Sequence, residues 1–173
     1  MTHTVPRMDE LESDAWLQLV TLLQLMPPSL DAQLLRDSQL THFEYMVLSL
    51  LRFAPDSTLQ AKTLAASTNA TLPRMSHVAS RLEARGLVER LPSADDKRAT
   101  DVRLTDAGRR VVVRATAKHL EHVRQLVIDR LTRDELASLA SIGAKLSAVL
   151  DPNERLGRPA PRSADRDIPR HSG

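Results

Sequence analysis

The 173-residue sequence predicts a mainly α-helical fold with a small β-wing, and three patterns lead to this prediction. Apolar residues recur at helical spacing over most of the chain, as at Met75, Val78 and Leu82. Two short runs with strand character, 87–91 and 99–105, follow that helix. Apolar stripes near both chain ends are wider than one small domain needs, and they predict terminal helices that pair with a partner.

The first predicted element is a helix that starts near Ser13 and carries Trp16 on its apolar side. Pro27 and Pro28 should break or kink this helix, because neither residue can donate an N–H to the helical ladder. Pro28 is also well placed to start a second short helix. Residues 1–36 are therefore assigned as N-terminal dimerisation helices.

The next lobe, residues 37–108, opens with a capping box. Thr41 caps the helix and Glu44 reaches back, and the helix that they start buries Phe43 and Met46. A further helix covers about residues 60–67. Asn69, in the turn after it, is a candidate for the left-handed conformation.

The helix over 71–86 carries the candidate functional face. Thr71 can cap its amino terminus, Pro73 lies in its first turn, and Gly86 ends it. The face opposite its apolar stripe is rich in hydrogen-bond donors and has no carboxylate over the first three turns; it bears Arg74, His77 and Arg81.

A polar tip, P-S-A-D-D-K-R at 92–98, separates the two strand-like runs. A helix followed by a hairpin with a basic tip is the order of a winged helix-turn-helix, a fold that reads DNA. An ordinary helix and hairpin with a solvated charged face fits the same pattern. The charge distribution favours DNA, since residues 59–114 hold 11 Lys/Arg against 6 Asp/Glu, whereas residues 1–58 hold 3 against 8.

Three motifs resemble the MarR family of bacterial transcription regulators: R-L-E-A-R-G-L-V-E-R at 81–90, Asp96-x-Arg98, and L-T-D-A-G at 104–108. The resemblance is strong over about residues 40–110 and extends in helical layout to about residue 150. It implies a homodimer whose first and last helices interlock, and a regulator, foremost a repressor, that binds a pseudo-palindromic site in double-stranded DNA.

The helix over 71–86, the predicted reading helix, supplies most of the predicted DNA contacts. Arg74 is the best candidate for a bidentate contact to guanine O6 and N7. Ser76 and His77 could reach bases or phosphates, while Arg81 and Lys62 more naturally meet phosphate. Each could instead be a solvated surface residue. The predicted set on the helices is Lys62, Thr71, Leu72, Pro73, Arg74, Ser76, His77 and Arg81.

The resemblance also assigns roles at the wing. Arg98 would enter the minor groove, where narrow A·T-rich stretches concentrate negative potential. Asp96 would brace its guanidinium, and Lys97 would meet phosphate or solvent. The alternative is an Asp96–Arg98 salt bridge without a role in DNA binding.

MarR relatives commonly bind small aromatic or phenolic molecules between the dimerisation helices and the DNA-binding lobe. By this resemblance, Trp16, Phe43 and Met46 are candidates to line a cleft for a small aromatic or lipophilic effector. Packing in the hydrophobic core explains these residues equally well.

The C-terminal part begins with a helix capped by Thr105, and a second capping box, Thr132 to Glu135, opens the last helix. Residues 109–150 are assigned as C-terminal dimerisation helices. Residues 151–173 contain four prolines, five arginines and few apolar side chains, so they are expected to form a disordered tail.

Several classes of function are disfavoured by what the sequence lacks. It contains no cysteine, which excludes disulfides and cysteine redox sensing within these residues, and no G-x-G-x-x-G or phosphate loop, so no enzyme is predicted. His119 and His122 raise the question of a metal site, but a histidine pair at a helix interface is the alternative, and no metal or other cofactor is predicted.

With no long apolar run, a soluble cytoplasmic protein without a membrane partner is expected. A protein-interaction adaptor on the same fold, without DNA binding, is the alternative function.

Overall fold

The computed structural model describes residues 7–93 and 99–156 of the chain. Over these residues it contains six α-helices: α1 (Glu10–Ser38), α2 (His42–Phe53), α3 (Ala61–Ser67), α4 (Leu72–Ala84), α5 (Asp106–Leu126) and α6 (Arg133–Leu150). One three-stranded sheet is formed by β1 (Thr58–Gln60), β2 (Val88–Pro92) and β3 (Thr100–Leu104). The predicted mainly α-helical fold with a small β-wing is confirmed.

Threonine caps fix where four of the helices begin. The hydroxyls of Thr41, Thr71, Thr105 and Thr132 each accept a hydrogen bond from the backbone N–H three residues further on. At α2 and α6 a glutamate side chain also reaches back to the N–H of the capping threonine. All four caps were predicted, because the signal for a cap lies within a few residues of sequence.

Helix α1 departs from its prediction. It begins at Glu10 because Asp9 and Glu12 form a capping box, and it continues through Pro27 and Pro28 as one helix of 29 residues. The predicted break and second helix at Pro28 were wrong. Each proline removes only one N–H donor, while the ladder on both sides and the packing of the C-terminal turns, with Leu34 fully buried, keep the helix continuous.

The hydrophobic core lies among α2, α3, α4, the sheet and the first half of α5. Its largest fully buried side chains include Leu48, Leu51, Leu64, Met75, Leu82, Val102 and Val112. Met75, Val78, Ala79 and Leu82 are all buried, as the helical spacing predicted. This stripe fixes the rotation of α4 about its own axis and leaves the opposite side of the helix exposed.

The sheet has the strand order β1-β3-β2, and both pairs are antiparallel. Leu59 of β1 pairs with Val102, in a short strand of three residues. The β2–β3 hairpin is tied to the end of α4 by Arg90, whose Nε donates to Glu83 Oε2 at 2.7 Å.

Two segments leave apolar surface uncovered in a single chain. None of the residues of α6 is buried, and Leu139, Ile142, Leu146, Val149 and Leu150 are between 45% and 80% exposed. In the first half of α1 the exposed large apolar residues are Leu11, Trp16, Leu17, Leu22, Leu23 and Leu25. No described helix is long and apolar enough to cross a membrane.

The residues after α6 are described only to Leu156. Asp151 ends the helix, and its carboxylate accepts a hydrogen bond from the Leu156 N–H at 2.8 Å. The remainder of the expected tail, 157–173, lies outside the described residues.

Candidate nucleic-acid interface

A tight turn connects α3 to α4 and sets the angle between the two helices. Asn69 adopts the predicted left-handed conformation, with φ of 49°. The hydroxyl of the buried Thr68 donates to Leu64 O at 2.7 Å, and the Ala70 N–H donates to Ala65 O at 2.8 Å. The polar groups of the turn are thus satisfied locally, so that α4 is held at a fixed angle on α3.

The amino-terminal half of α4 presents an exposed polar face. Met75 is fully buried on the inner side, whereas the outer side carries the predicted contact residues Thr71, Leu72, Pro73, Ser76 and His77, all exposed. Apart from the Thr71 hydroxyl, which caps the helix, no side chain of this outer group forms a hydrogen bond within the described residues.

A cleft of about 340 Å³ adjoins this face, between α3, α4 and the sheet. Leu72 and Ser76 line it from α4, Lys62 from α3, and Arg90 and Thr100 from the strands. Two cations therefore lie on the wing side of α4. Lys62 is brought next to the reading helix, as its predicted role in phosphate contact requires.

Arg74 lies on the other flank of α4, toward α2. Its guanidinium carbon is 4.3 Å from the centroid of the Phe43 ring. Phe43 is half-buried and packs against the hydrophobic core. Sequence reasoning placed these two residues in separate sites, and the structure brings them into contact.

Arg81 contacts the buried carboxylate of Glu44. Arg81 Nη2 donates to Glu44 Oε1 at 3.1 Å, and Arg85 Nη1 lies 3.6 Å from Glu44 Oε2. The Arg81 side chain is nevertheless 59% exposed, so a DNA phosphate can still reach it. Its contact with phosphate stays a prediction. Arg85 also donates to Gln39 O at 2.9 Å, at the carboxyl end of α1. The contacts of Glu44 with Arg81 and Arg85 were not predicted, because these residues are far apart in sequence. The capping box in the sequence indicated only that Glu44 reaches back to Thr41.

The candidate effector residues do not form one cluster within a chain. Phe43 and Met46 lie one turn apart on α2, and both are partly buried. Asp31 of α1 contacts the start of α2, where it accepts the His42 N–H at 2.8 Å. Trp16 is 53% exposed. It precedes Asp31 on α1 by a length of about 22 Å at 1.5 Å per residue, so it does not lie beside Phe43.

The histidines of α5 lie at its interface with α1. Nδ1 of the buried His119 is 3.0 Å from Gln33 Oε1, and Nε2 of His122 is 3.2 Å from Ser29 Oγ. Burial lowers the pKa of His119 below its usual value, and the positive charges of His42 and His122 would lower it further. Within the described residues, no three His, Asp or Glu side chains lie close enough together to bind a metal ion.

The wing residues predicted to touch DNA, Asp96, Lys97 and Arg98, lie outside the described residues. The hairpin below them is closed by a backbone bond from the Ser93 N–H to Ala99 O at 3.1 Å. The wing assignments therefore remain predictions based on the resemblance.

A helix-turn-helix with an exposed reading face, followed by a β-hairpin, defines a winged helix-turn-helix protein. Residues 38–99 match the model of the MarR family. The chain is 30% identical over 112 residues to the HTH-type transcriptional regulator PrsX of Escherichia coli, an alignment that covers 65% of this chain and 67% of PrsX. The chain belongs to the MarR family of DNA-binding transcription regulators, which are transcription factors rather than enzymes.

Solved structures agree with this assignment. Sco3205, a MarR family transcriptional regulator from Streptomyces coelicolor determined in complex with DNA, is 33% identical, with a TM-score of 0.82 over 88% of this chain and 96% of that one. AbsC, another MarR family regulator from Streptomyces coelicolor, has a TM-score of 0.80 at 24% identity over 86% of this chain and 100% of that one. At this lower identity, the match to AbsC supports the fold alone.

Proposed function

We propose that this chain binds a pseudo-palindromic operator as a homodimer and represses transcription from it. The observation that carries the proposal is the exposed face of α4, which is rich in donors, has no carboxylate over its first three turns, and lies beside the wing hairpin. Similarity to Sco3205, whose structure was determined in complex with DNA, supports DNA as the partner. A regulator of this kind would act in the cytoplasm, on the bacterial chromosome.

The proposed dimer is formed by residues 1–36 and 109–150, with residues 37–108 as the DNA-binding lobe. The uncovered apolar residues of α6 and of the first half of α1 support this division, because a second copy would remove them from water. Two reading helices on one dimer should meet half-sites about one helical turn apart, since they enter successive major grooves.

The proposed contacts divide into two kinds. Arg74 would read a guanine, with Ser76 and His77 beside it at the major groove, while Lys62 and Arg81 would position the protein on phosphates. At the wing, Arg98 would enter the minor groove with Asp96 as its brace and Lys97 near phosphate. A bound dimer would cover the operator and block access to it, which is the basis for proposing repression.

We further propose release by a small aromatic or lipophilic effector that contacts Phe43 and Met46. Trp16 lies far from them along α1, so within one chain it would not contact the same effector molecule. An effector that binds the DNA-free state better shifts the population away from the operator. Ligand and operator should each lower the other's affinity by the same factor, with a coupling of about 1–3 kcal/mol. Titrations across phenolic and lipophilic compounds test this, and uncoupled binding throughout would leave a constitutive repressor.

The function is tested by selecting bound duplexes from a random pool with the full chain. We expect an enriched sequence with two inverted half-sites. If no sequence is enriched and no duplex is bound, the chain is better explained as a protein-interaction adaptor on the winged-helix fold.

Two variants then separate the two kinds of contact. Arg74→Ala should weaken binding to the selected duplex by about 1–3 kcal/mol and relax the preference at one base pair per half-site. Lys62→Ala should weaken binding to all sequences alike and reduce the slope of log affinity against log salt by about 1. Arg124→Ala, which removes a cation near the far end of α5, about 27 Å along the helix from the wing, is the control once sedimentation velocity has shown that it still dimerises, because it lies within the proposed dimer segment. Equal losses for selected and random duplexes with Arg74→Ala would rule out base reading by this residue.

A further inference from the structure

We propose that Phe43 is a positioning residue for sequence recognition: its ring holds the Arg74 guanidinium in place to read a base. The inference rests on the proposed function and identifies a second residue, on a different helix, that determines specificity. It starts from the 4.3 Å distance between the Arg74 guanidinium carbon and the Phe43 ring centroid.

The contact leaves the recognition chemistry of Arg74 available. A cation over an aromatic ring is attracted by the π-electrons, and this attraction uses none of the N–H donors of the guanidinium. Within residues 7–93 and 99–156, no acceptor takes a hydrogen bond from the Arg74 side chain, whereas Arg81 and Arg85 each donate to a protein oxygen. Of these three arginines, Arg74 alone is restrained while its N–H groups remain free for guanine O6 and N7.

The restraint matters because an arginine side chain has many rotamers. In solution an exposed arginine loses that freedom when it binds, and the loss opposes binding. A side chain already held near one conformation loses less, so the bidentate contact to the correct base is strengthened. Phosphate contacts elsewhere on the surface are unaffected. The ring therefore acts on discrimination between sequences rather than on affinity for DNA in general.

Phe43 is itself held on a fixed support. It lies in the first turn of α2, whose start is fixed by the capping box of Thr41 and Glu44 and by the bond from the His42 N–H to Asp31. Its neighbour Glu44 binds Arg81, which lies two turns after Arg74 on the same flank of α4. This second tie keeps the distance between α2 and α4 constant, so that the ring and the guanidinium stay in contact.

Phe43→Leu removes the aromatic ring and retains an apolar side chain for packing, and Phe43→Tyr retains the ring. Both are compared with the wild type by fluorescence anisotropy. The probes are the duplex selected from a random pool, the same duplex with each G·C pair changed in turn, and an unrelated duplex. Phe43→Leu should lower discrimination at the base pair read by Arg74 by about two- to fivefold, the size of an exposed cation–π contact. Phe43→Tyr should retain it, and the salt dependence on the unrelated duplex should not change in either variant.

A double-mutant cycle with Arg74→Ala supplies the decisive comparison. In that background Phe43→Leu should have no further effect on discrimination. An equal effect with and without Arg74, or an equal loss on all duplexes, would mean that Phe43 only packs against the lobe. If Arg74→Ala left discrimination unchanged, the inference would fail while the proposed regulator stood with a different reading residue. If no duplex were selected at all, the proposed function itself would fail.

Discussion

Gly108 shows how a single residue fixes the junction between the wing and α5. A Cβ placed on Gly108 would lie 2.0 Å from the carbonyl oxygen of Leu87 and 2.8 Å from Leu104 Cδ1. That carbonyl also accepts the Thr105 N–H, which precedes α5, so it is not free to move. The glycine of the L-T-D-A-G motif is therefore required by close approach of the backbone where the sheet meets the helix.

Gly108→Ala should lower the free energy of unfolding by about 1–3 kcal/mol, because the clash is with backbone rather than with a flexible side chain. Gly143→Ala is the matched control. Within one chain nothing lies within 4 Å of a Cβ at Gly143, and alanine in a helix interior should raise stability by about 1 kcal/mol. Because Gly143 lies on the same side of α6 as Leu139 and Leu146, sedimentation velocity is used to check that this variant still dimerises. Urea denaturation of both variants measures the difference, and equal stabilities would show that the Leu87 contact is relieved without strain.

The histidines between α1, α2 and α5 predict a dependence of stability on pH. Burial lowers the pKa values of both His119 and His42, with Asp31 opposing the shift at His42. A base with a lowered pKa binds more protons in the unfolded chain than in the folded one, so stability falls as the pH drops below about 6.5, the ordinary histidine value. The loss ends below the folded pKa values, where both states are protonated.

His119→Gln should flatten this dependence, since it removes one of the two groups and keeps a side chain that can bond to Gln33. Its stability at neutral pH should be lower, because the buried ring that packs 4.7 Å from Tyr45 is lost. Urea denaturation of the wild type and the variant between pH 5 and pH 7.5 provides the measurement. An unchanged slope in the variant would assign the pH dependence to other groups.

At the scale of elements, α6 is the helix whose role is most open to test. Its large apolar residues share one side, and none of them is buried within the chain. Ile142→Glu places a charge on that side, whereas Ala144→Glu places the same charge on the opposite side of the same helix. Ile142→Glu should abolish dimerisation and with it tight operator binding, and Ala144→Glu should preserve both. Sedimentation velocity and anisotropy distinguish them; a monomeric Ile142→Glu variant with undiminished operator affinity would end the dimer proposal.

The elements also show which features could be read from the sequence. The caps at Thr41, Thr71, Thr105 and Thr132 and the left-handed Asn69 were predictable because their causes lie within a few residues. The continuity of α1 through Pro27 and Pro28 was not predictable from the sequence. Packing of the C-terminal turns of α1 outweighs the two backbone hydrogen bonds that the prolines cannot donate.

Only part of the candidate DNA-binding site could be predicted from the sequence. The exposed face of α4 followed from the burial of Met75, Val78, Ala79 and Leu82 on the other side. The partners of its arginines did not, because Phe43 and Glu44 lie more than thirty residues away and meet α4 only in the folded chain. Periodicity identifies which side of a helix is buried, but it does not identify which element covers each flank.

At the scale of the whole molecule, the surface divides by polarity. The lobe formed by α2, α3, α4 and the sheet has a fully buried core, whereas α6 has no buried residue and the first half of α1 exposes most of its large apolar residues. Of the basic excess of residues 59–114, only 8 Lys/Arg against 6 Asp/Glu fall within 59–108, and the other three cations, Arg109, Arg110 and Arg114, lie in the first half of α5. The proposed DNA contacts therefore lie on the lobe, and the proposed dimer contacts lie on the uncovered apolar residues of α6 and α1.

The absence of buried residues in α6 links the amount of this protein to its state of folding. A helix of 18 residues with no buried side chain gains little from tertiary packing and is marginal in water, so α6 should be fully formed only in the proposed dimer. Formation of α6 and dimerisation are then coupled through mass action, and thermal stability should rise with protein concentration. Melting curves over a hundredfold dilution series measure this; a melting temperature independent of dilution would contradict it. In the proposed dimer, a fall in the number of copies would therefore lower the fraction of the protein that is competent to bind its operator.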